Sequence, residues 1–527
     1  MFEQFMHHLP ALQTVIPLMA APLCMLLGSR KIAWGITVIA SSSAFIISCL
    51  LLSQVIDGSV ISYHLGGWAP PLGIEYRIDA FNAFVLLIVS GIGALIPFYA
   101  PASIKDEIPQ SLHSYFYTAY LLCLTGLLGV TVTGDAFNVF VFLEVSSLST
   151  YALVAMGAKK DPRALTAAFN YLVMGTIGAT FFVLGLGLLY ILTGTLNMVD
   201  LADKIVLLED NRTLNVAFAF IFVGLGLKIA MFPMHLWLPN AYAYAPSAVT
   251  AFLAATATKV AVYILLRFLF TVFSSKYPFE VQTLEWVVLP LAIMAMFASS
   301  IVAIFQTNLK RLLAYSSIAQ VGYILLGVTF LNKTGLMATI IHLFNHAVTK
   351  GGLFMAVGAL VLRYGSANIE DLRGAGKQMP WTMAAFVGGG LSLIGVPLTA
   401  GFISKWYLIS AAFEANYWLP AILIVASSLL AVIYVWRVVE AAYLQAPVNP
   451  DAQIKEAPPM MLASIWILVG ASFYFGIDAS FTTEAASIAA DILLGNVESN
   501  AQAMPDAIGG AVSHIPEPLN SISHGQE

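Results

Sequence analysis

The chain has 527 residues, 59% of them hydrophobic and 10% charged, and a mean hydropathy of +0.86. These values exclude a soluble domain and specify a polytopic membrane protein. A net charge of −5 with scattered Lys and Arg leaves no basic patch that would suggest nucleic acid or lipid headgroups as a ligand, and the three cysteines, Cys24, Cys49 and Cys123, lie in apolar runs without CxxC spacing, so they read as packing residues and not as disulfide, iron–sulfur or zinc ligands.

The N-terminal "MFEQFMHHLP" has no Lys or Arg and so lacks the positive flank of a cleavable signal; the first apolar run is expected to stay as a helix. A spanning helix needs about 20 apolar residues. Fourteen such segments follow in order, near 10–28, 33–56, 78–100, 114–133, 135–157, 164–193, 214–238, 246–272, 283–305, 312–331, 335–362, 380–412, 417–443 and 458–477. A weakly amphipathic piece at 478–494 comes next, then a tail rich in Ser, Pro, Asn and Gly that is expected to be disordered. The predicted architecture is an all-α membrane protein, organised as N-terminal helices 1–3 (1–110), a first five-helix repeat (111–272), a second, inverted one (273–445), a C-terminal helix with the amphipathic segment (446–494) and the tail (495–527).

Basic residues orient the chain. With the N-terminus outside, thirteen Lys and Arg fall in inner loops and six in outer loops, so both termini are predicted outside. The remaining four of the 23, Lys228, Lys259, Lys350 and Lys405, fall inside predicted helices.

"GLKIAMFP" at 226–233 matches "GLSLIGVP" at 390–397 in its opening Gly-Leu, its fourth position and its proline, an offset of 164. "LEVSSLS" at 143–149 echoes "LAYSSIA" at 313–319, and "VAVYILLR" ending at Arg267 echoes "LAVIYVWR" ending at Arg437, both at an offset of 170. A unit of five helices ends on the opposite side from where it began, so the repeat is inverted, a mark of transporter folds. Pro233 and Pro397 each lack an amide proton and clash with the carbonyl four residues back, which predicts two broken helices with Ile229 and Leu393 deprived of their helical partners.

A structural lysine would be neutralised by one carboxylate or would snorkel to a headgroup. Glu144, in "FNVFVFLEVSSLSTY", is the acid near the middle of a predicted helix, and one acid cannot pair with four lysines. Some of the lysines must therefore be neutral or only transiently charged, the condition of a proton carrier. Lys228 is the natural partner of Glu144. "HLFNHAVTK" places His342, His346 and Lys350 along one helix face at four-residue steps. Two histidines one turn apart also suit zinc, but a third ligand and the Glu of HExxH are missing, so the set reads as a proton relay without a metal. His235, just after Pro233, is either a further relay group or a cap for the broken half-helix.

Other classes fall away. "RGAGKQ" at 373–378 lacks the upstream Gly and the Ser/Thr of a P-loop, and "GLGLG" at 183–187 lies within a helix. No haem, flavin or quinone signature is present, so no cofactor and no catalytic site of the chain's own are expected.

These residues resemble the proton-translocating antiporter-like subunits shared by Mrp-type cation/proton antiporters, the membrane arm of respiratory complex I and membrane-bound hydrogenases. The resemblance covers roughly residues 75–445. "GDAFNVFVFLEVSSLSTYAL" resembles the family's fifth helix, which implies that Glu144 is its acid. "GLGLKIAMFPMHLWLPNAYAYAPSAVTAFLAATATKVAVY" resembles the seventh and eighth helices, which implies that Lys228 is the broken-helix lysine and Lys259 the central connecting one. "HLFNHAVTKGGLF" is similar to the eleventh helix with its histidine relay, and "GVPLTAGFISKWYL" to the second broken helix with Lys405 at its terminal position. Within the family the fifth-helix stretch looks closest to the D-type member of Mrp antiporters. The long lateral helix of the largest subunits is missing, and the second broken helix carries lysine where one complex I subunit type has glutamate.

The resemblance implies a proton-translocating subunit of a multisubunit complex in a bacterial inner membrane, with protons passing Glu144, Lys228, Lys259, His342, His346 and Lys405, and sodium as the coupled ion if the complex is Mrp-like. The alternatives are a proton-pumping subunit of a quinone- or hydrogenase-linked redox complex and, from another class, a self-contained solute porter, which needs a polar pocket that the sequence does not supply.

Overall fold

In the computed structural model, residues 6–208, 211–274, 277–448, 454–496 and 501–503 are described. Helices start where a polar side chain can answer the first free amides. Asp79, Asp135, Asn211, Asn308 and Asn332 each accept from amides of the turn they open. In chain order the elements are α1 Leu9–Leu26, α2 Arg30–Val55, β1 Val60–His64, β2 Glu75–Ile78, α3 Ala80–Glu107, α4 His113–Val132, α5 Ala136–Ala155, α6 Arg163–Thr193 and α7 Met198–Ile205. Next come α8 Arg212–Ile229, α9 Trp237–Tyr244, α10 Ser247–Ala255, α11 Ala257–Leu266 with π-type turns continuing to Phe273, and α12 Pro278–Ile304. The chain continues with α13 Leu309–Thr329, α14 Lys333–Tyr364, α15 Pro380–Ile394, α16 Ala400–Glu414, α17 Trp418–Tyr443, α18 Pro459–Ile477, α19 Ser480–Leu493 and β3 Ala501–Ala503.

Among the described residues, thirteen segments are long and apolar enough to cross a membrane, and the interrupted pair α15 and α16 makes the fourteenth. The most apolar windows of 247–273 and 309–329 are 94% buried, against 39% for α6, so α10, α11 and α13 form the centre and α6 the rim.

The inverted repeat shows in the loops as well as in the helices. Ala136 N–H donates to the Leu196 carbonyl and Met198 N–H to that of Gly134; Leu309 N–H donates to Ala367 and Ile369 N–H to Thr307. These paired bridges tie the start of α5 and the start of α13 in the same way, five crossings apart.

Three features differ from the sequence expectation. First, the breaks begin before the prolines. α8 ends in a left-handed Ala230 (φ 61°), with Met231 N–H on the Gly226 carbonyl, and α15 ends in a left-handed Gly395 (φ 89°), with Val396 N–H on that of Leu391. Pro233 and Pro397 thus lie beyond completed helix caps, and Lys228 sits in the last turn of its half-helix. Second, the 246–272 segment is itself interrupted at Thr256 (φ −124°, ψ −57°), with neither Gly nor Pro at the site. Third, the fold is not purely helical. β1 pairs antiparallel with β2, Ile61 opposite Ile78, and parallel with β3, Val60 opposite Ala501. Of the expected tail, residues 495–496 and β3 are described; the rest lies outside the described residues.

Candidate functional site

Lys228 owes its position to a close helix crossing. A Cβ at Gly224 of α8 would lie 2.6 Å from the Gly178 carbonyl oxygen of α6, so only glycine permits this approach. The last turn of α8 then faces α5, where Lys228 Nζ donates to Glu144 Oε1 at 3.2 Å and to Ser147 Oγ at 2.7 Å. The lysine side chain is 7% exposed and the glutamate 24%. Glu144 lies on the stripe of α5 that also exposes Phe137, Val141 and Leu148.

The other three lysines have no carboxylate within ion-pair distance among the described residues. Each answers backbone carbonyls instead. Lys259 reaches back across the Thr256 interruption to the Ala254 carbonyl and lies 3.4 Å from Thr258 Oγ1. Lys350 donates to the Leu313 carbonyl at 2.9 Å and to Ser316 Oγ, both on α13. Lys405 donates to the Leu393 and Ile394 carbonyls at 3.2 and 2.8 Å, and its Nζ lies 4.8 Å from the centre of the Tyr323 ring. Leu393 is one of the carbonyls expected to lose its helical partner. A lipid-buried carbonyl without a donor costs several kcal/mol, so these lysines also keep the broken helices tolerable.

Between them runs the histidine file of α14. His342 Nδ1 lies 2.8 Å from Ser404 Oγ, next in sequence to Lys405, and its Nε2 2.9 Å from Gln320 Oε1. The His342 and His346 rings stack with centroids 6.1 Å apart. Both ring nitrogens of His346 are buried without a partner among the described residues, beside a small cavity whose lining includes Gln320, Asn345, Thr349, Ser392 and Leu393. Lys259 lies near enough to both histidines and to Lys350 to act on them electrostatically when it is protonated, and Lys405 likewise to His342.

The predicted residues thus form two groups, Glu144 with Lys228, and Lys259, His342, His346, Lys350 with Lys405. No hydrogen bond or ion pair among the described residues joins Lys228 to Lys259. His235 lies in the linker between α8 and α9. It caps nothing, since α9 starts without a side-chain cap; its ring stacks on Phe232 and meets Tyr315 of α13 edge-on, with Nδ1 unpartnered among the described residues.

Sequence reasoning passed over several buried charges near helix ends. Glu107 accepts from Ser247 N–H at 2.7 Å and Ser247 Oγ at 2.8 Å, and stands 3.8 Å from Lys310 and 3.9 Å from Lys160, at the floor of a polar cavity of about 230 Å³. Lys310, counted above as an inner-loop residue, is buried and donates to the Ala245 carbonyl. Arg267, counted as an outer-loop residue, is buried in a two-oxygen pair with Asp79 at 2.5 Å. Removing both from the count leaves twelve against five, with the bias intact. Glu280 is fully buried, and neither carboxylate oxygen has a partner among the described residues.

Residues 133–433 match the family described as "NADH:quinone oxidoreductase/Mrp antiporter, TM". The N subunit of the NADH-quinone oxidoreductase of Desulforudis audaxviator is 41% identical over 86% of this chain and 90% of its own length. The D subunit of the Na(+)/H(+) antiporter of Alkalihalophilus pseudofirmus is 30% identical over 90% of this chain and 94% of its own. A chain in the Mrp complex from Dietzia sp. DQ12-45-1b superposes with a TM-score of 0.85 at 25% identity, covering 94% of this chain and 98% of that one.

Proposed function

The chain belongs to the NADH:quinone oxidoreductase/Mrp antiporter transmembrane family, and on that premise we propose that it is the proton-translocating subunit of a multisubunit monovalent cation (sodium)/proton antiporter. The observation that carries this reading is the Glu144–Lys228 contact at 3.2 Å, set beside three buried lysines that hold carbonyls in place of carboxylates. Glu144 holds Lys228 charged. When Glu144 is drawn away, the Lys228 proton becomes free to pass towards Lys259, with His235 placed against α13 to bridge the gap. From Lys259 the proton reaches His346 and His342, whose Ser404 contact leads to Lys405. Lys350 is a side station of the same file.

Glu144 supports the dependence on partners. A partly exposed carboxylate at mid-membrane depth is costly against hydrocarbon, so the stripe with Phe137, Val141 and Leu148 is the surface a neighbouring subunit covers, and that neighbour is what moves Glu144. Glu144 is the acid found near the middle of a helix, and a sodium site wants several oxygen ligands, so this reading assigns the cation path to other subunits.

A second reading, a proton-pumping subunit of an NADH:quinone oxidoreductase-like complex, is favoured by one observation: the relative with the higher identity bears the name of such a subunit. Both readings use the same relay.

The test is proton transport in everted membrane vesicles of cells expressing the whole complex. Glu144→Ala and Lys228→Ala are each expected to abolish it while the protein remains inserted and assembled; near-normal transport by either variant contradicts the assignment.

A further inference from the structure

The sequence shows no patch suited to lipid headgroups, but outside the relay the groove where α2, α3, α4 and α18 meet gathers cations that lie scattered along the chain. Arg30 and Lys31 open α2, Lys105 lies in the last turn of α3, His113 opens α4, and Met460 stands at the start of α18. All therefore lie at one end of the bundle, around a cavity of about 380 Å³. One turn deeper, about 6 Å at 1.5 Å per residue, the walls become Trp34, Pro101 and Tyr117. Arg30, Lys31 and Lys105 are exposed, and none has an ion pair among the described residues. The acids nearest in sequence, Asp106 and Glu107, line a separate cavity with Lys160. Trp34 is fixed by its indole N–H on the Pro97 carbonyl at 2.9 Å.

We propose that this groove binds an anionic phospholipid, its phosphate held by Arg30, Lys31 and Lys105 and its upper acyl chains lying along Trp34, Pro101 and Ile104. Three uncompensated cations at a helix-end boundary stand at the level of lipid phosphates, and an apolar wall running inward from them matches an acyl chain. A soluble anion has no use for that wall. The charge bias places this end of the bundle inside, the leaflet where anionic headgroups attract juxtamembrane cations.

The experiment is native mass spectrometry of the full chain, released from mild detergent after incubation with phosphatidylglycerol or phosphatidylcholine. Retained adducts of phosphatidylglycerol over phosphatidylcholine are expected, and the Arg30→Gln/Lys31→Gln/Lys105→Gln variant is expected to retain phosphatidylglycerol on the order of a hundredfold more weakly. A Lys160→Gln/Arg163→Gln control, which alters cations of the other cavity, keeps the selectivity. The wild-type comparison of the two lipids tests the proposal without any variant. Equal retention of both lipids overturns it and leaves the groove to a protein partner. Displacement of the lipid by glycerol 3-phosphate overturns it in favour of a free-phosphate site, and undiminished binding by the triple variant overturns the assignment of the three cations.

Discussion

In the proposed relay Lys405 has two tasks at once. Its ammonium answers the Leu393 and Ile394 carbonyls left by the break, and it stands beside Ser404, the hydroxyl that touches His342. A lysine can do both because an amine that has lost one proton still has hydrogens to donate, so the carbonyls stay satisfied when the proton leaves. Gly395 makes room for it: the backbone is left-handed there (φ 89°), and an added Cβ would lie 2.9 Å from Lys405 Cδ. Gly395→Ala is therefore expected to cost about 1–2 kcal/mol from the backbone alone and to displace the amine as well. Its thermal midpoint in detergent should fall and its transport should drop more than its assembled amount. Unchanged values of both would show that the cap does not set the lysine.

At the level of elements, breaks and clamps decide where charges sit. The Asp79–Arg267 pair ties the start of α3 to the end of the α10–α11 span, and Asp79 also accepts from Phe81 and Asn82 N–H at 3.0 and 3.1 Å. Arg267→Ala leaves a buried carboxylate without its cation and should destabilise the chain by about 3–5 kcal/mol, read as a lower thermal midpoint and a lower steady-state level. Wild-type stability in that variant would mean that water or lipid replaces the guanidinium. The same elements show what can be read from sequence. A lysine in an apolar run, a proline in a helix and an i, i+4, i+8 file are local signals, and they located Lys228, Lys405, His342, His346 and Lys350. The Thr256 interruption has no such signal, since the residues there are Ala and Thr, and the Lys259 contact with the Ala254 carbonyl across it appears only in the fold. Asp79 and Arg267 are 188 residues apart, and Arg267 at the end of an apolar run reads as a loop cation until its partner is seen.

For the whole molecule, the charge bias predicts both termini outside. A reporter active only outside the cytoplasm, fused after about residue 480, is expected to work; activity of a cytoplasm-only reporter at that site would contradict the outside placement of that terminus. The hairpin of β1 and β2, paired with β3, brings the chain after α19 back to the end of the bundle where α2 finishes. On the proposed reading, proton movement along buried amines and imidazoles is passive and needs a driver from the neighbouring subunits. The purified chain in liposomes is accordingly expected to show no cation/proton exchange, which appears once neighbouring subunits are co-expressed; robust sodium-dependent exchange by the isolated chain would favour a self-contained porter.

The central claim is that Lys228 carries a proton and is more than the counter-ion of Glu144. Arginine separates the two, because guanidinium keeps the positive charge and the reach to a carboxylate but does not release its proton at physiological pH. The decisive measurement is proton transport by Lys228→Arg in everted vesicles containing the assembled complex. A carrier predicts full assembly with transport as low as in Lys228→Ala; transport restored to the wild-type rate by arginine would contradict the account and leave Lys228 a structural charge.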